Sequence, residues 1–104
     1  MRKLALDKKK IVYSLDFGEI QIFWSEIKDI HYNKYDCITE EKGCLVFNDE
    51  HGEFVEIFED TIDWEYLKNN LHLYLPIKQD WYRELETVKA SDGTVEIYAA
   101  IGKG

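Results

Sequence analysis

The sequence predicts a single α+β domain over residues 1–104: an antiparallel sheet of five or more strands, one main helix over about residues 61–75, and a C-terminal hairpin. Three observations carry that expectation. Through residue 58 apolar and polar residues alternate, the period of a strand with one face buried. At Asp60 the period changes to three and four, that of an amphipathic helix. Finally, 104 residues with 45% hydrophobic content, including 3 Trp, 7 Tyr and 5 Phe, supply one core and no second one.

The elements follow in order. KLAL (3–6) adds an edge strand whose lysines discourage edge-to-edge association, and DKKK turns the chain. Ile11, Tyr13 and Leu15 alternate, Asp16-Phe17-Gly18 makes a short turn, and Ile20, Ile22 and Trp24 share one face of the next run. Ile30 and Tyr32 continue after SEIK. GCLVFN (43–48) and EFVEIF (53–58) form a second pair joined by NDEHG, where Asp49 and Gly52 suit a tight connection. Trp64, Leu67, Leu71 and Leu75 then make one helical stripe, whose burial is worth roughly 6–12 kcal/mol gross. Asp60 or Thr61 is placed to cap it, Asp63 lies in its first turn, and Pro76 ends it. WYRELETVK and TVEIYAA read as two strands about the Asp92-Gly93 turn.

The net charge of −8 is unevenly distributed. Residues 1–10 carry five bases against Asp7, whereas residues 36–65 carry eleven acids against Lys42 alone, a net of −10. Such a segment repels phosphate backbones, so no nucleic acid is expected as a partner; it attracts basic surfaces instead. No apolar run approaches the roughly 18 residues that cross a bilayer, and Asp7 and the lysines interrupt any signal-peptide core. The expectation is a soluble cytoplasmic protein with no membrane partner. In that compartment Cys37 and Cys44 are expected as thiols, and their spacing is no zinc site.

Candidate chemistry is sparse. FEDTIDWEYL (58–67) surrounds Trp64 with Glu59, Asp60, Asp63 and Glu65, but these spread over a strand end and two sides of a helix turn. No metal site or cofactor is expected there. His51 lies close to Asp49, yet no serine or cysteine is placed as its nucleophile and no glycine-rich loop cradles phosphate, so no enzyme is expected. The acids in the two hairpin loops and the strand before the helix are different. Asp36, Glu40, Glu41, Asp49, Glu50, Glu53 and Glu56 have almost no compensating bases near them in sequence. They are the candidate partner-binding residues, expected to form one negative belt. Trp81 and Tyr82, after the proline, are the expected exposed anchors.

WSEIKDI, YDCITEEKGCLVF, EFVEIFEDTIDWEYL and LYLPIKQDWYRELE, in that succession over roughly residues 20–100, resemble small bacterial immunity-type proteins of contact-dependent growth-inhibition and other polymorphic toxin systems. The resemblance implies a non-enzymatic protein that binds one cognate toxin domain and blocks it. The matching positions, Trp24, Ile27, Glu59, Asp60, Trp64, Leu75, Pro76 and Trp81, look like fold residues, and no binding residue carries over. FWSEIKDI, followed by paired strands and a late helix, is also similar to bacterial pleckstrin-homology-like domains, which implies a scaffold or adaptor that binds a peptide or protein. Those domains usually end in their helix, whereas a hairpin is expected to follow here.

Overall fold

A computed structural model describes residues 3–36 and 40–99. Among these residues seven strands and one main helix form an α+β fold, with the strands divided between two antiparallel sheets. The first sheet holds β1 (Lys3–Leu6), β2 (Lys10–Leu15) and β3 (Gly18–Phe23) in sequence order. Its register aligns Leu6, Ile11 and Ile22 in one row and Leu4, Tyr13 and Ile20 two positions along, so these side chains share one face while Ala5, Val12 and Gln21 turn to the other. The Asp7 carboxylate closes the β1–β2 turn by accepting the N–H groups of Lys9 (2.7 Å) and Lys10 (2.9 Å).

The second sheet runs β6 (Phe54–Phe58), β5 (Glu41–Asp49), β4 (Ile27–Asp36), β7 (Val95–Ala99). Its inner rows, Ile30–Phe47–Val55 and Tyr32–Leu45–Ile57, are fully buried. They share one core with the first sheet and with α1 (Ile62–Asn70), whose Trp64 and Leu67 face inward.

The helix is shorter than its apolar stripe. After Asn70 the chain tightens into a 3₁₀ turn, Leu71–Leu73, although Leu71 and Leu75 stay buried. The Asn70 side chain donates to the Tyr66 carbonyl (2.8 Å), the acceptor its own helical N–H uses, and one turn on the Tyr74 N–H bonds at i−3 to the Leu71 carbonyl (3.1 Å). At the other end Thr61 occupies the cap position without capping. Its hydroxyl donates to the Phe58 carbonyl (2.7 Å), while Asp60 pairs with Lys42 (2.9 Å). Asp63 and Glu65 do lie in the first turn, where the exposed N–H groups favour negative charge.

The expected strand over WYRELETVK is a correction. Arg83–Thr87 is a 3₁₀ helix, and only the second arm, β7, is a strand; the chain doubles back in a hairpin-like path through Ala90–Asp92 but pairs with β4. Trp81, Leu85 and Val88 explain this, because their spacing of four and three is helical rather than alternating. Trp81 and Leu85 are buried, and Trp81 meets Trp64 edge-on at 5.8 Å. Trp81 is therefore no exposed anchor, and Tyr82, set edge-on to it at 5.7 Å, is half-buried.

Candidate functional site

The nine-residue β5 separates the two acidic loops by roughly 27 Å, at about 3.4 Å per residue. Glu40 and Glu41 stand at one end of it; Asp49, Glu50 and Glu53 stand at the other. That separation exceeds the screening length of about 8 Å at physiological salt. The single belt expected from sequence is thus two poles, a correction that follows from the loops joining opposite ends of one strand.

The individual acids also differ in what they do. Asp49 is buried, and its Oδ1 accepts the N–H groups of His51 (2.9 Å) and Glu53 (2.8 Å), which holds the β5–β6 turn together. It is a turn residue and not a steering charge. Glu41 accepts the Ala90 N–H (3.0 Å), tying the β4–β5 end to the segment before β7. Glu40, Glu50 and Glu53 are exposed. Asp36 pairs with Glu41 in the β4–β5 register; its side chain, like Cys37, lies outside the described residues.

The four acids of FEDTIDWEYL are each accounted for near the helix start. Glu59 is the most engaged: it accepts from the Tyr32 hydroxyl (3.0 Å) and the Gly43 N–H (2.9 Å), with the Lys34 ammonium 3.8 Å away. Burial, then the hydrogen bond to Glu59, pushes the Tyr32 phenol well above its ordinary pKa. Gly43 is required at this point, since a Cβ there would collide with the Tyr32 hydroxyl and the Glu59 carboxyl. Asp60 is held below the usual carboxylate range by its bond to Lys42, and Glu65 lies 3.5 Å from Lys68.

Glu56 belongs to a different surface. Antiparallel partners share a face, so β5–β6 pairing puts Phe54, Glu56 and Phe58 on the outer side of the sheet with Asn48, Val46 and Cys44. From β4 the same face receives Asp29, His31, Asn33 and Tyr35, and from β7 Glu96. Cys44 and Val46 are buried at its centre and do not belong to the main core. Burial, followed by the charge of Glu56, pushes the Cys44 thiol up to about 12. At that value the thiol is protonated at neutral pH and a poor nucleophile. Phe54 and Tyr35 are 51% and 44% exposed. These two aromatics were missed in sequence, although the Phe-Val-Glu-Ile-Phe alternation of β6 already places both its phenylalanines beside Glu56.

No family model matches this chain, and neither a curated protein nor a solved structure does. The reading therefore rests on the surface itself.

Two further features complete the inventory. Glu26, Glu50 and His51 bring one ligand atom each within 4.8 Å of one another at the β5–β6 pole, and the His51 Nε2–Glu26 bond (3.0 Å) raises the imidazole pKa. When protonated, the His51 imidazole places a cation beside both carboxylates, 3.0 Å from Glu26 and 3.8 Å from Glu50. Beside β7 lies a groove of about 770 Å³ whose walls mix apolar Ile77, Trp81, Leu85 and Ile97 with charged Lys78, Asp80, Arg83, Glu84 and Glu96. Among the described residues no helix is long and apolar enough to cross a membrane.

Proposed function

We propose that this chain is an immunity-type protein that binds a cognate toxin domain and neutralises it without chemistry of its own. The observation that carries the reading is where the uncompensated carboxylates lie. Glu40 and Glu53 project from loops and Glu56 from a sheet face, and among the described residues none of the three forms an ion pair with a lysine or arginine. Exposed carboxylates of this kind serve association with a basic surface, raising its rate through long-range attraction. Antibacterial nucleases are one source of such a surface, since a cleft that binds a polyanion is basic. The resemblance in WSEIKDI, EFVEIFEDTIDWEYL and LYLPIKQDWYRELE supports the same reading.

The decisive experiment starts from the product of the neighbouring reading frame: if that is a large secreted protein with a variable C-terminal domain, the domain is co-purified with this chain and cells that express it are tested for protection. Binding with protection is the expected result. Failure of both ends the immunity reading.

A second reading, a pleckstrin-homology-like adaptor that takes a peptide on a sheet edge, has one observation in its favour: the groove runs along β7, a terminal strand of its sheet. Against it, the β4–β7 register shifts so that Ile97 lacks a cross-strand partner, and such bulges blunt an edge. Salt separates the two readings. A toxin captured by charge associates more slowly as salt rises, whereas a peptide added through main-chain bonds is nearly indifferent to it.

A further inference from the structure

We infer that the outer face of the β6-β5-β4-β7 sheet is the docking surface for a cationic protein partner, centred on Phe54 and Glu56 and suited to arginine. The inference rests on the binding-protein reading above and names the surface and the chemistry of its partner.

Charge complementarity comes first. The face carries Asp29, Glu56 and Glu96, and among the described residues no lysine or arginine forms an ion pair with any of them. Among the described residues Asp29 is bonded to Asn48 (2.9 Å) and His31 (3.2 Å), an uncharged amide and an imidazole charged only when protonated, and Glu56 receives the Cys44 thiol (3.7 Å). Lys42 shares this face opposite Tyr35, but it is held by Asp60 (2.9 Å) and lies over the Phe58 ring (6.0 Å), at the end of β6 away from Phe54. The contrast with Glu59, Asp60 and Glu65 is direct, since each of those has a lysine within 4 Å.

The apolar content of the face points the same way. Glu56 is half-buried beside Cys44 and Val46, so its carboxylate is partly desolvated before any partner arrives. An ion pair formed in such a setting is worth more than one in open solvent. Phe54 lies two residues along the strand on the same side, roughly 7 Å away. That spacing lets one guanidinium stack on the ring while it forks onto the carboxylate, an arrangement a lysine ammonium does not reproduce. Tyr35, at the far end of the face, is a second exposed ring. Glu40 and Glu41 stand beyond one end of this face and Glu53 beyond the other, as two separate negative poles that flank it. A second copy of this chain would oppose carboxylate to carboxylate, so self-association through this face is disfavoured.

The test measures capture of the neighbouring-frame toxin domain by the intact chain and by three variants: Phe54→Ala, the double change Glu56→Gln with Glu96→Gln, and Glu86→Gln as an exposed control elsewhere. The first is expected to speed dissociation at least tenfold. The second is expected to slow association at least tenfold at low salt and much less at high salt, while the control stays within twofold. Should the domain bind and protect while all variants capture it like the parent, the docking surface is overturned and the immunity reading stands. Where the domain does not bind the parent, that reading fails, and the surface is tested alone by NMR titration with arginine-rich, lysine-rich and acidic decapeptides. Shifts confined to residues of this face, larger with arginine than with lysine and absent with the acidic peptide, support the surface. Shifts elsewhere, or none, overturn it.

Discussion

The two faces of the four-stranded sheet use the same strands to opposite ends. Inward, Tyr32, Leu45, Phe47 and Ile57 are sealed against the first sheet and α1. The carboxylate at that margin, Glu59, is met by a hydroxyl, a backbone N–H and a lysine. Outward, Phe54 stands half in water and Glu56 meets a neutral thiol. A carboxylate surrounded by donors holds the fold together, whereas one left among apolar groups stores an unmet electrostatic demand. Counting acids along the chain cannot tell the two apart.

The largest contrast should come from truncating matched rings. Phe47→Ala removes a fully buried ring and is expected to cost about 3–5 kcal/mol, whereas Phe54→Ala on the outer face should change stability by about 0.5 kcal/mol or less. Urea unfolding of the two variants checks this. Comparable losses would mean that the outer face is core after all.

Next is Gly43→Ala, which drives a methyl into the Tyr32–Glu59 contact. It should destabilise by about 1–3 kcal/mol, the usual range for overpacking. The same change in a Tyr32→Phe background should cost less, because the hydroxyl in its way is gone. Equal costs in both backgrounds would place the clash elsewhere.

The Tyr32 network also has a pH signature. Its folded pKa is raised above the ordinary phenol value of 10.0, so the neutral form is the one the fold favours. That stability is fully present below pH 10 and is lost as pH rises from there toward the folded value. Unfolding curves of the parent should therefore weaken above pH 10 more steeply than those of Tyr32→Phe. Parallel slopes would dismiss the buried phenol.

The smallest effect concerns His51. Its folded pKa is raised by Glu26, so the stabilisation is complete below pH 6.5 and is lost as pH rises through the folded value. The pair is exposed, and His51→Ala should shift the midpoint slightly at pH 5.5 and not at pH 8.5.

Much of the architecture was legible because it depends on local periodicity. Alternation from Leu4 to Phe58 marks which side chains turn inward, and Trp64, Leu67, Leu71 and Leu75 mark one stripe even where the backbone tightens at Asn70. The segment from Trp81 to Val88 was misread because its charged residues alternate while its apolar ones follow a helical spacing. Asp49 was misread for another reason. An acid beside a turn can point at water or at the turn's own N–H groups, and only the turn geometry decides. The candidate surface was half visible: Glu56 was singled out, but Asp29, Tyr35, Phe54 and Glu96 join it through pairings between distant strands.

The amino-acid order alone determined the strand-rich α+β class, the helical stripe and the strongly acidic middle third, since each depends on residues a few positions apart. Tertiary structure decided which carboxylates meet a partner inside the chain and which are left outside. Charges interact through space, and β5 carries residues adjacent in composition to opposite ends of the molecule while its neighbours bring acids remote in sequence onto one face.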